Sequence, residues 1–194
     1  MDHLKDKTQL TEAAEAGEAA AQFQLGSMYA NIEQDYAQAF FWIKKAAENE
    51  YREAQYTLGN MYFWGEGTKQ SYASAFVWYH KAAEAGHIAS LKALGSMREN
   101  GYGVVQGYIL AFSWYIKAAV AGDVDAQYKV GALCEKGVST RDNSALHQFG
   151  VTYEIEEDKE LKPGFAEALF WYKKAAEAGH ISAQQALRRL QRNM

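Results

Sequence analysis

Small, apolar and aromatic residues recur along this chain at helical spacing, in alternating pairs of segments. One segment runs from an Ala-Gln pair (Ala21 and Gln22, Ala54 and Gln55, Ala126 and Gln127) into LGSMY, LGNMY, LGSMR or VGALC. The next carries Ala, an aromatic, Trp and Ala-Ala, as in Ala75, Phe76, Trp78, Tyr79, Ala82 and Ala83. Apolar residues three and four apart share one face of a helix, so each segment predicts an amphipathic helix. The small residues of the leading helix predict close approach by the bulky trailing one. Gly65 and Gly67, like Gly101 and Gly103, predict the turn between them, and Gly86 and its equivalents predict the end of the trailing helix.

The pattern repeats. Gly26, Gly59, Gly95 and Gly131 fall in register at spacings of 33, 36 and 36, and Trp42, Trp78 and Trp114 follow at 36, with Trp171 in the same motif. AEAG or a variant closes the unit at Gly17, Gly86, Gly122 and Gly179, with AENE in its place near Asn49. A fixed period of this length is the mark of stacked repeats, so the fold class expected is all-α, a solenoid of helix-turn-helix units of about 36 residues. The recurring tryptophans are expected to be mostly buried between repeats.

The joint occurrence of AQYxLGxMY, GxG, AFxWYxKAA and AEAG, from about Glu12 to Leu190, resembles the Sel1-like repeat family, relatives of the tetratricopeptide repeats. The resemblance implies a right-handed α/α superhelix with a concave face, and a role as adaptor or scaffold for other proteins; many members are bacterial. Some cysteine-rich secreted relatives bind penicillin-like compounds, and these carry paired cysteines in each repeat. This chain departs from them, having Cys134 alone.

The period breaks after Gly131. The next glycine of the motif is due at 167, yet FGVTY puts Gly150 in that role, 17 residues early. The stretch from about Asp142 to Ile155 therefore reads as two half-helices fused, with one helix lost. EIEEDKELKPG then replaces the GxG turn and gathers Glu154, Glu156, Glu157, Asp158 and Glu160, with Pro163 before the next helix. At the ends, Gln9 stands where tryptophan is due and Arg188 where glycine is due, as polar capping helices require. The expected organisation is one array: a capping helix over 1–17, regular repeats over 18–136, an irregular fused helix and acidic loop over 137–164, and a last repeat helix with a capping helix over 165–194. Four to five units would then form a whole solenoid.

Composition narrows the chemistry. A single proline fits helices throughout. The net charge of −4, from 20 basic and 24 acidic residues with no basic stripe, argues against nucleic acid. One cysteine excludes an internal disulfide and a paired-cysteine zinc site. There is no HExxH, no GxSxG and no phosphate-binding glycine loop, so no catalytic, cofactor or metal residue is assigned. His87 and His180 hold one repeat position, at the start of a leading helix. The amino terminus lacks a signal-like apolar run and no stretch has the length of a membrane span, so a cytoplasmic location is expected for the chain as written, or a periplasmic or secreted one if a signal peptide has been removed.

The expected function is that of a protein-protein scaffold or adaptor binding a protein or peptide through the concave face. Leading-helix positions between the packing residues, at i, i+3 and i+7, are the candidate contacts: Gln24, Ser27 and Asn31; Thr57, Asn60 and Trp64; Ala93, Ser96 and Asn100; Lys129 and Lys136. Trp64 lies outside the tryptophan register and suits an exposed anchor. Glu156, Glu157 and Asp158 form a second candidate contact, for a basic partner surface. A dedicated inhibitor or immunity partner of a toxin or effector is the alternative; an enzyme resembling the β-lactam-binding relatives is another, against which the missing cysteines weigh. Oligomeric state has no signature here.

Overall fold

The computed structural model describes residues 2–138 and 164–192. Among the described residues there are ten α-helices and no strand: α1 (Asp2–Glu15), α2 (Ala19–Met28), α3 (Tyr36–Glu48), α4 (Arg52–Trp64), α5 (Tyr72–Glu84), α6 (Ile88–Asn100), α7 (Tyr108–Val120), α8 (Val124–Glu135), α9 (Phe165–Glu177) and α10 (Ile181–Arg192). Even-numbered helices are the leading ones and odd-numbered the trailing ones. The result is an all-α helical repeat solenoid. The chain divides into two compact units, residues 1–90 with 102–104, and residues 91–101 with 105–194.

Three local devices recur and explain the motif. The first is the glycine of LGxM. A Cβ on Gly59 would lie 2.5 Å from the Tyr79 ring, one on Gly95 2.7 Å from Tyr115, and one on Gly131 2.8 Å from Tyr172; Gly26 meets Ile43 in the same way. The missing side chain is what lets the trailing helix seat a ring against the leading backbone. The second is the glutamine of the Ala-Gln pair. Gln22, Gln55, Gln127 and Gln184 donate from Nε2 to the carbonyls of Ala14, Ala47, Ala119 and Ala176, each at the end of the preceding trailing helix. Each of those carbonyls also accepts the backbone N–H three residues on, from Gly17, Glu50, Gly122 or Gly179, so the glutamine adds a side-chain bond that ties the end of the trailing helix to the next leading one. The third is N-capping: Asp35, Ser71 and Asp123 accept from the backbone N–H three residues on.

In the first unit, Ala14, Ala21, Leu25 and Trp42 form one core cluster and Ile43, Leu58 and Met61 with four alanines another. The first repeat has no GxG turn. A π-helical turn, Tyr29–Glu33, extends α2 instead, and Gln34 takes a left-handed φ of 54°, which accounts for the shorter spacing of 33. In the second unit Phe112, Tyr115, Ile116, Val130, Leu133, Trp171, Tyr172 and Leu190 lie in one continuous core.

One expectation is corrected. Trp42 and Trp171 are buried, but Trp78 and Trp114 are only half-buried, with the ammonium groups of Lys81 and Lys117 at 4.4 and 5.2 Å from their rings. In each of those two helices the following tyrosine, Tyr79 or Tyr115, is deeply buried instead, because that is the side chain aimed at the glycine. After Gly131 the pairing of leading and trailing helix is kept. Tyr172 of α9 seats on Gly131 of α8 as Tyr79 seats on Gly59, and a Cβ on Gly164 would lie 3.0 Å from the Cys134 carbonyl oxygen. Helix α9 is thus the trailing partner of α8. The separation from glycine to tyrosine is 41 residues here and 20 in the two pairs before it, so 21 extra residues join a complete pair. The expected fused helix and acidic loop, Glu156, Glu157 and Asp158 included, lie outside the described residues.

Candidate partner-binding surface

The leading helices carry the candidate contacts, and each position follows from what the packing leaves free. In the first unit Gln24 and Asn31 are exposed and Ser27 is half-buried. Thr57 is half-buried, its hydroxyl donating to the Glu53 carbonyl at 2.9 Å. Asn60 is engaged internally, accepting from the Tyr79 hydroxyl at 2.7 Å, so its amide oxygen is spent on the repeat itself. Trp64 is 67% exposed and meets Phe63 edge-to-face, with ring centroids 4.8 Å apart. Phe63 also contacts Tyr72 and Tyr102, whose rings stack at 5.2 Å, so Trp64 borders an aromatic cluster at the turns.

In the second unit Ala93 and Ser96 are half-buried, and Asn100 is exposed with its amide donating to the Ser96 carbonyl at 2.8 Å. Lys129 is tied to Glu99 at 3.0 Å, whereas Lys136 is exposed and lies 5.4 Å from the Tyr108 ring centroid. Glu99 also accepts from the Tyr115 hydroxyl at 2.8 Å. Burial works against its ionisation, but the hydrogen bonds from Tyr115 and Lys129 outweigh it and hold the Glu99 carboxyl below the usual carboxylate range. Burial, reinforced by that hydrogen bond, pushes the Tyr115 hydroxyl well up. The arrangement is repeated one step on: Tyr172 donates to Glu135 at 2.8 Å, and Arg189 of α10 reaches the same carboxylate oxygen at 2.7 Å.

Sequence reasoning missed Glu99 and Glu135 as junction residues, and Arg188, Arg189 and Arg192 as a surface feature. The signal available was the spacing RRLQR on one face of α10. Cys134 is buried with its thiol donating to Glu167 at 3.5 Å, and burial, then the nearby carboxylate, pushes the thiol up, away from the reactive thiolate. Among the described residues no group of three or more His, Cys, Asp or Glu is placed to hold a metal, and no helix is long and apolar enough to cross a membrane. A cavity of about 850 Å³ lies beside α9 and α10, lined by Leu169, Phe170, Ala176 and Leu187 among others.

The Sel1 repeat matches residues 19–51, 52–87, 88–123, 124–146 and 144–180. This chain belongs to the Sel1 repeat family. The overlap of the last two Sel1 repeat matches falls in the extra residues between α8 and α9, where the sequence of one repeat is interrupted. Among solved structures it is similar to a protective antigen of uropathogenic Escherichia coli with an SLR fold, at 30% identity and TM-score 0.74, over 93% of this chain and 35% of that one. It is equally similar to a Sel1 repeat protein from Oxalobacter formigenes, at 30% identity and TM-score 0.74, over 94% of this chain and 67% of that one. Helicobacter pylori cysteine rich protein B matches at 26% identity and TM-score 0.51, over 64% of this chain and 92% of that one. The chain spans about a third of the length of the E. coli protein. Among curated proteins none is significantly similar in sequence. The Sel1 repeat fold is in general a protein-protein interaction scaffold, and proteins built on it are typically not enzymes.

Proposed function

We propose that this chain holds a protein or peptide partner against the exposed side of its leading helices. The observation that carries the reading is a division of labour within each leading helix. Residues that recur with the period, such as Leu25, Gly59, Leu94 and Gly131, are buried in packing, while Gln24, Asn31, Trp64, Asn100 and Lys136 are exposed and chemically varied. A scaffold needs that separation, because partner choice can then change without loss of the fold. Trp64 suits an anchor: it is large, rigid and two-thirds exposed beside other rings.

The test begins with cross-linking in the native cell to identify the partner, followed by affinity measurements on variants. Gln24→Ala, Asn31→Ala, Trp64→Ala and Asn100→Ala should weaken binding without lowering the melting temperature. If only trailing-helix substitutions such as Lys44→Ala, Val77→Ala and Lys173→Ala weaken it, the leading-helix reading fails.

A further inference from the structure

Three tryptophans of trailing helices sit in seats prepared by the helix pair before them. Trp42 clusters with Ala14 of α1 and with Ala21 and Leu25 of α2. Trp78 packs against the cluster that holds Ala47, Ala54 and Leu58, and Trp171 shares its cluster with Ala119, Ala126 and Val130. The positions are the same each time: the penultimate residue of the preceding trailing helix, the alanine of the Ala-Gln pair, and the aliphatic residue before the LGxM-type glycine. All of these seat residues are buried.

Helices α9 and α10 present the same seat as Ala176, Ala183 and Leu187. Ala183 is buried, but Ala176 and Leu187 are only half-buried, and both line the cavity of about 850 Å³ together with Leu169 and Phe170. Among the described residues no trailing helix follows α10. One residue of the seat differs in kind. Arg188 follows Leu187 where Gly26, Gly59 and Gly131 follow Leu25, Leu58 and Val130. A Cβ on Gly59 would already lie 2.5 Å from the Tyr79 ring, so a helix with tyrosine after its tryptophan, as in α5, α7 and α9, would meet the Arg188 side chain. A second copy of this chain offers no better fit, since its other tryptophans, Trp42 and Trp64, are followed by Ile43 and Gly65. Arg188 is exposed, and Arg192 lies about one turn further along α10, so the group that suits this point is a carboxylate.

Resting on the reading that this chain holds a protein partner, we propose that the seat takes a helix of the partner with the pattern AxxWExxA. Its tryptophan enters between Ala176 and Leu187, and the carboxylate after it meets Arg188, as the residue after each tryptophan of the array meets the glycine. The two alanines are those the array uses itself. Ala39 and Ala46 flank Trp42, and Ala168 and Ala175 flank Trp171, at this spacing and fully buried, because small side chains let the helices approach. Arginine adds selectivity for a carboxylate through its paired N–H donors.

Fluorescence anisotropy on the full chain tests this, with a labelled, stapled helical peptide of the pattern AxxWExxA as probe, alanine and glutamine filling its other positions. The probe should bind, and alanine in place of its tryptophan should weaken binding about tenfold or more. Ala176→Leu fills the seat and should weaken binding as much without lowering the melting temperature; Leu187→Asn, which makes the seat polar, is the second variant. Arg188→Glu, at an exposed position, should weaken the probe about tenfold and strengthen its lysine counterpart, AxxWKxxA, about threefold or more, a reversal that loss of structure does not produce. No binding of the probe, indifference to its tryptophan, or equal weakening of both peptides by Arg188→Glu would overturn the inference. A dimer of the chain that Ala176→Leu dissociates would assign the seat to a second copy and overturn it as well. With the native partner in hand, loss of binding in Gln24, Asn31 and Trp64 variants but not in Ala176→Leu and Arg188→Glu would sink this inference and leave the proposed function standing. The reverse pattern would support the seat and sink the leading-helix surface, and insensitivity to both sets would sink both.

Discussion

The imidazole of His180 stacks on the ring of Tyr128, centroids 4.6 Å apart, and His87 stacks on Tyr56 in the equivalent place at 4.5 Å. The residue just before each leading helix meets the residue five beyond the same position of the leading helix before it. Tyr51 meets Phe23 at 5.2 Å by the same rule, and Asp123 meets Lys92 as an ion pair at 3.1 Å. One geometric slot is therefore filled by ring contacts in three steps, two of them stacked and one tilted, and by charge in one. The histidines are structural residues of the stack, and His180 Nδ1 also accepts from the Ala183 N–H at 3.1 Å as a helix cap.

This slot predicts a pH dependence. Burial against Tyr56, with Arg52 adding to it and Glu53 opposing, holds the His87 imidazole below its ordinary range. A base whose folded pKa is lowered favours the neutral form in the fold. Its contribution is complete above the unfolded value, near 6.5, and is lost as pH falls from there through the lowered folded value. Thermal melts of the wild type should fall between pH 7.5 and 5.5, and His87→Tyr, which supplies the ring that Tyr51 uses one repeat earlier, should flatten part of that fall. Identical pH profiles for the two proteins would refute the assignment.

Two glycines should respond to alanine for different reasons. At Gly59 a Cβ would sit 2.5 Å from the Tyr79 ring, so Gly59→Ala must push α4 and α5 apart and should cost on the order of 2–3 kcal/mol as overpacking. Gly86 has open space around its Cβ position but a φ of +83°, so Gly86→Ala should cost only about 1–2 kcal/mol, from left-handed strain. Denaturant titrations should rank Gly59→Ala as the more damaging, and the reverse order would contradict the ring-on-glycine packing.

Glu50 occupies the position that glycine holds at 17, 86, 122 and 179, and it adopts a φ of 60°. A side chain there carries strain that its counterparts avoid. Replacement Glu50→Gly should relieve it, set against the greater freedom of glycine in the unfolded chain, for a net gain of about 0.5–1 kcal/mol. A rise in melting temperature checks this; a fall would mean that Glu50 makes a stabilising contribution larger than the strain.

The Tyr115–Glu99–Lys129 junction should behave as a unit. Removing the hydroxyl with Tyr115→Phe takes away a hydrogen bond to a carboxylate and should cost about 1–2 kcal/mol, reduced because Glu99 keeps Lys129. Combining it with Glu99→Gln should cost less than the two single changes added together, and strict additivity in a double-mutant cycle would show that the groups are not coupled.

The sequence by itself determined the helices, their pairing within the regular repeats, and the family. These rest on local periodicity and on residues whose roles are set by backbone geometry, such as the glycines at 59, 95 and 131 and the glycines that end trailing helices. It also picked out Trp64 as a tryptophan outside the core register, and the chain leaves that ring exposed. Tertiary structure decided what depends on distance between residues far apart in the chain. Adjacent Trp78 and Tyr79 are both plausible core residues by spacing; which of them enters the glycine slot follows from the rotation of one helix against another. Gly131 and Tyr172 are 41 residues apart, and only their contact shows that α8 and α9 complete one repeat around the extra residues. Packing and charge pairing are properties of the folded neighbourhood, and one period of sequence does not contain them.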